Sequence, residues 1–142
     1  MDLTLDIARR LVDLSLGEAR SLSLKPMAVI VLDSRGTLKA AAAEDGTSLL
    51  RNEVAHGKAY GALALGMGSR AIFNRAQEQA YFVDAVNTLA RGALVPVPGG
   101  VLIQDGEGRL LGAIGLSGDT SDNDERCAVH AIAEVGLVAS TG

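Results

Sequence analysis

The sequence predicts one α+β domain in which antiparallel strands are layered against helices. Three observations predict it. The 142 residues fit one compact domain. Two segments, "MAVIVLDSRGTLKAAAA" and "GVLIQDGEGRLLGAIGLSG", read as apolar strands joined by short turns. The stretches around them carry apolar residues three and four apart, the period of a helix packed on one face. The order is helix, hairpin, helices, hairpin, helix, and hairpin-joined strands run antiparallel.

Each element has its own justification. Apolar residues at 3, 7, 11, 14 and 22 mark the first helix, with Thr4 or Asp2 as its cap. Lys25-Pro26 ends it, because a residue before proline is pushed out of the helical region. "MAVIVLD" is a β-branched run suited to a buried central strand. "SRG" turns into a second strand, "TLKAAAA", and "EDGT" is a loop. From Ser48 onward "SLLRNEVAHGKAYGALALGM" is helical. Its Ala55, Ala59 and Ala62 give one face that can approach another backbone closely. "NRAQEQAYFVDAVNTLARG" reads as one further helix ending at Gly92. "VPVPGG" is extended, and the second hairpin closes around "DGEG". "SDNDERCAVHAIAEVGLVA" reads as the last helix, with Ala128, Ile132, Val135 and Val138 facing inward.

Composition narrows the function. Apolar residues make up 48% of the chain, enough for a core without metals or disulfides. The net charge of −4, with no Trp and only two Tyr and two Phe, argues against nucleic acid as a partner. That partner needs clustered cations and stacking rings. The lone cysteine, Cys127, leaves no internal disulfide and no CxxC metal site. No apolar run approaches the roughly 20 residues that span a bilayer. The N-terminus lacks a basic start leading into an apolar stretch. A cytoplasmic protein with no membrane partner is the expectation.

The chemistry concentrates in "GAIGLSGDTSDNDERCAVH". Asp119, Asp122, Asp124 and Glu125 stand between a buried strand and a helix. Ser121 or Asp122 suits the N-cap, and acids in a first turn complement the helix dipole. Capping leaves Asp119 unexplained. Calcium would need the spacing and distal Glu of an EF-hand, which are absent. The glycines do not form a dinucleotide fingerprint, and four acids would repel a phosphate. Cys127 is either a thiol near a helix start or a small core residue. Lys58 lies in "AHGKA", among small residues, so it either snorkels to solvent or points into a pocket. His56, Tyr60 and Met67 fall on one stripe of haem-ligand residue types, or His56 is simply polar surface. Gly99-Gly100 either adopts positive φ or lets a ligand approach the backbone.

Four blocks together carry a resemblance: "VIVLDSRGTLKA", "DGTSLLRNEVAHGKAYGALALG", "VPVPGGVLIQDGEGRLLGAIGLSG" and "DNDERCAVHAI". In order and spacing the chain resembles the GlcG/HbpS-like haem-binding family. That family includes the C-terminal domain of PduO-type cobalamin adenosyltransferases. "AAAAEDG" and Tyr60-Gly61 depart from its usual pattern.

The resemblance implies a profilin-like three-layer domain, with helices on both faces of a five-stranded antiparallel sheet. It also implies a homo-oligomer and a small-molecule ligand, haem being the best known. It favours a pocket position for Lys58. The candidate ligand residues are then Lys58, His56, Gly99, Gly100, Ser117, Gly118, Asp124 and Glu125, with no metal ligand set. Ser117 and Gly118 would form a pocket floor and Lys58 a wall held by Asp124 or Glu125. The alternative is an enzyme acting on a small carboxylated or hydroxylated metabolite. Lys58 would then anchor an anion, and Asp124 or Glu125 would act as acid or base.

Overall fold

The computed structural model describes residues 2–142. Ten elements follow one another: α1 (Leu5–Ser21), β1 (Ala28–Asp33), β2 (Leu38–Ala43), α2 (Arg51–Leu65), α3 (Ser69–Glu78), α4 (Ala80–Leu89), β3 (Gly100–Gln104), β4 (Leu110–Ser117), α5 (Ser121–Glu134) and β5 (Val138–Ser140). The strands form one antiparallel sheet in the order β2-β1-β4-β3-β5. This is the profilin-like α+β arrangement, with α1 and α5 on one face and α2 on the other.

Strand alternation divides the sheet's side chains between two layers. Val29, Val31, Val101, Ile103, Ile114 and Leu116 point toward α1 and α5, where Leu11, Ala128 and Ile132 meet them. Each fully buried Leu, Ile or Val of this kind contributes about 1.5–3 kcal/mol. The opposite face carries Gly100, Ala113 and Gly115 beside the larger Ile30, Leu32 and Leu102. That face lets α2 settle onto the sheet through Ala55, Ala59 and Ala62, all fully buried. A Cβ at Gly115 would lie 2.0 Å from the Ala55 carbonyl oxygen, and one at Gly100 2.2 Å from that of Lys58. Backbone-to-backbone packing of α2 on the sheet therefore depends on these glycines. A third cluster, Ile72, Val83 and Leu94, holds α3 and α4 beside this layer.

Several boundaries differ from the sequence expectation. Residues 48–50 form a turn, and α2 begins at Arg51. The expected helix over 74–92 is two helices beginning at Ser69, broken at Gln79, whose φ −138° and ψ 62° leave the helical region. Arg75 stacks on the Phe82 ring across that break, 4.2 Å from its centroid. The last helix stops at Glu134 because Gly136 turns left-handed, at φ +78°. Val138 is therefore not on a buried helix face. It is 46% exposed in β5, which pairs with β3.

Candidate functional site

The β4–α5 junction gathers most of the candidate residues. Lys58 leaves the sheet-facing side of α2 and runs beneath Gly99. Its Nζ donates to the Leu116 carbonyl at 2.9 Å and to Asp124 Oδ2 at 3.0 Å. The two side chains are 2% and 1% exposed. Gly99 adopts φ +125°, and a Cβ there would lie 2.8 Å from Nζ. Glycine is thus required on both counts, backbone conformation and space for the ammonium. Asp124 Oδ1 accepts the Asp119 N–H at 3.0 Å. Burial pushes the Lys58 ammonium below its ordinary value and the Asp124 carboxyl above it. Their mutual attraction opposes both shifts, and nearby Arg51 pushes Lys58 further down.

The protein itself fills the space around this pair. Ser117 is fully buried, and its hydroxyl accepts from Arg51 Nη1 at 3.2 Å. A Cβ at Gly118 would come within 2.2 Å of the Pro26 carbonyl oxygen. The close neighbour of Gly100 is the α2 backbone. An enzyme built on a Lys58–acid pocket is accordingly not favoured, since both hydrogen bonds of the lysine stay within the protein.

The acidic knot divides its labour. Thr120 is the N-cap, accepting the Asn123 N–H at 3.2 Å, in place of the expected Ser121 or Asp122. Asp119 has a role that capping did not supply. Its carboxylate accepts from Lys25 N, Thr120 N and Asn123 Nδ2, tying the loop after α1 to the start of α5. These bonds, the Asn123 amide first, push its carboxyl down to about 2. Glu125 does not meet Lys58; it accepts from Arg70 Nε at 3.0 Å, and Asp122 pairs with the same guanidinium. Cys127 is buried in the core, and burial pushes its thiol up to about 11. Among the described residues no group of three or more His, Cys, Asp or Glu side chains is placed to hold a metal ion. No helix there is long and apolar enough to cross a membrane.

His56 lies elsewhere. Residues two apart on a helix differ by about 200° in direction, so His56 faces away from Lys58. It stacks on Tyr60 with ring centroids 5.8 Å apart and planes 13° from parallel. Met67 does not continue this stripe: the helix has ended, and Met67 packs with the third cluster. His56 lines a cleft of about 340 Å³ between α2 and the segment leading to β3. Gly57, Gly92, Ala93 and Val95 give it small apolar walls, while Glu53 and Arg91 bring charge to it. Arg91, like Arg51 and Arg70, carries no motif in the sequence that marks it as a site residue. The one available signal was its place beside Gly92 at a helix end.

This fold and these blocks of residues correspond to a known family, described as haem-degrading protein HbpS-like, whose model matches residues 3–133. The chain belongs to the HbpS-like family. A comparison with curated protein sequences returns no match. Among solved structures, a PduOC–haem complex is 24% identical, with 96% of this chain and 97% of that one covered and a TM-score of 0.86. A double mutant of HbpS from Streptomyces reticuli is 21% identical, covering 96% and 88%, at 0.81. Protein ORFY from Klebsiella pneumoniae is 21% identical, covering 92% and 90%, at 0.80. At these identities the likeness is one of fold, and it extends over nearly the whole HbpS-like chain.

Proposed function

We propose that this chain is a small-molecule-binding protein whose ligand is haem or a related tetrapyrrole, held in the His56 cleft. The observation that carries this reading is the composition of that cleft. A haem site needs an axial donor, an apolar slot and a cation for the propionates. His56 supplies an imidazole nitrogen, Gly92, Ala93 and Val95 small apolar walls above the point where Val95 packs on Gly57, and Arg91 a positive charge among the lining residues. The residues present therefore fit the group. Haem, when bound, would supply the iron at which oxygen or peroxide chemistry occurs. The chain's part is to ligate, orient and partly shield it. Tyr60 holds the His56 ring by stacking, which fixes the plane in which its nitrogens point. The family's description supports the choice of haem over other flat ligands.

The cleft lies at the low end of the size range of small-ligand pockets. A tetrapyrrole would therefore protrude from it. A homo-oligomer of at least two copies is part of the reading, supported by exposed Leu49, Leu50, Tyr81 and Leu89 at 63–85%. A cytoplasmic location is also part of it, supported by a single free cysteine and no disulfide to maintain. The test is a titration with haemin. A Soret band that grows to saturation in the wild type and is lost in His56→Ala is expected. Equal binding by the variant would remove His56 from the site, and a monomer by sedimentation at micromolar concentration would remove the assembly.

A further inference from the structure

Arg91 has a backbone that its side chain does not favour. Its φ is +59°, and only one other described non-glycine residue, Ser23, has a positive value. It follows the α4 cap residue Ala90; its N–H donates to the Thr88 carbonyl at 3.0 Å, and the Gly92 N–H to that of Asn87 at 2.8 Å. This is the left-handed position just past a helix, where glycine is the usual residue because a Cβ crowds the backbone. Glycine indeed follows at 92, also left-handed at φ +78°. A long cation nevertheless occupies the strained position. Strained backbone at a cleft points to a function for the side chain it displays.

The surroundings indicate what that function is. Arg91 lines the cleft that His56 enters from α2, across the gap. No carboxylate lies within 4.0 Å of it among the described residues, unlike Arg20, Arg70 and Arg109, each of which has an acid partner. Its guanidinium has no ion-pair partner within that distance, and Arg91 is one of the residues lining the cleft. The other charge there is Glu53, one helical turn before His56 on α2. An anionic group on the ligand is repelled from the α2 side and drawn to the Arg91 side. We propose that Arg91 is the carboxylate anchor of the His56 cleft, orienting a ligand so that its acid groups face the α4–β3 segment and its flat apolar body meets His56. This rests on the haem-type reading above and adds the ligand's orientation and the reason for the strain.

The competing role is structural: a cation near the α4 C-terminus complements the helix dipole. The two roles predict opposite signs. Arg91→Gly removes backbone strain, so under the anchor role the melting temperature rises while anionic-ligand affinity falls. Haemin and haemin dimethyl ester, whose carboxylates are masked, serve as the probe pair, read by Soret titration on the full chain. The expected result is about a tenfold or greater loss for haemin, unchanged affinity for the ester and a higher melting temperature. Unchanged haemin affinity or a parallel loss for the ester would overturn the anchor, and a lower melting temperature would overturn the strain argument for it. If the wild type binds haemin through His56 and Arg91→Gly makes no difference, the anchor alone falls. If neither porphyrin binds the wild type, the haem reading falls and the anchor with it.

Discussion

Lys58 and His56 are two residues apart on α2, and they end in opposite environments. Lys58 is 2% exposed, with a carboxylate and a carbonyl as fixed partners. His56 is half-buried, has a ring stacked beside it and faces an open cleft. The lysine region is closed, and its two hydrogen bonds hold α2, β4 and α5 together. The histidine region is open and has a cation without a partner. A polar residue in a small-residue helix can thus serve stability or binding, and only the packing of the opposite surface decides which. Substitutions on the lysine side should therefore register in folding, and those on the histidine side in binding.

The largest effect is expected where α2 meets the sheet. Gly100→Val would drive a side chain into the Lys58 carbonyl and disturb the Ser69 hydroxyl that accepts the Gly100 N–H at 2.7 Å. A loss of about 3 kcal/mol or more is expected by urea denaturation, or no soluble protein. An unchanged melting temperature would mean that α2 does not sit this close to β3.

Next comes the buried pair. Removing one partner leaves the other charge buried and unpaired, so Lys58→Met and Asp124→Asn should each cost about 3 kcal/mol or more. The double variant should lose less than the sum, by at least about 1 kcal/mol. Strict additivity would show that the 3.0 Å contact carries no coupling. If instead the pair belongs to a ligand site, Lys58→Met would weaken haemin binding beyond its effect on folding.

Much of this arrangement was legible in the sequence, for stated reasons. Continuous apolar runs and turn chemistry located both hairpins, because central strands covered on both faces are apolar throughout. A lysine on a small-residue face and acids in a first turn left Asp124 or Glu125 as its partner, and the contact is with Asp124. That the site is sealed was not legible, because the seal comes from Pro26, Gly99 and the α2 backbone, which are distant in sequence. The break at Gln79 carries neither glycine nor proline, and it exists because Ile72, Val83 and Leu94 close a cluster across it. Gly136 marks the end of α5, and the apolar run beyond it, which mimics a continuing helix, forms β5 instead. Arg91 was hidden because Gly92 marks a helix stop three residues beyond Leu89, where α4 ends.

A smaller effect, and one that depends on pH, belongs to Asp119 on the closed side. Its carboxyl falls from 3.8 to about 2 on folding, chiefly through the Asn123 amide. The folded value lies below the unfolded one, so the charged form contributes stability above about pH 4. That contribution is lost as pH falls toward 2. Between pH 7 and pH 3, Asp119→Asn should lose less stability than the wild type, measured by urea midpoints. Equal losses would mean that the Lys25, Thr120 and Asn123 contacts do not favour the ionised form.

The smallest folding effect is expected at His56, and it tests the comparison from the other side. The ring touches Tyr60 and the cleft, and no protein hydrogen bond to it is described. An aromatic pair of this kind is worth about 0.5–1.5 kcal/mol beyond burial, and half-exposure places His56 toward the lower end. His56→Ala should therefore shift the urea midpoint by no more than about 1 kcal/mol equivalent, while abolishing the haemin Soret shift. His56→Gln, which keeps a polar side chain of similar reach but loses the imidazole, should do the same to binding and even less to folding. A large loss of stability in either variant would make His56 a structural residue like Lys58. The two faces of α2 would then not be divided between folding and binding.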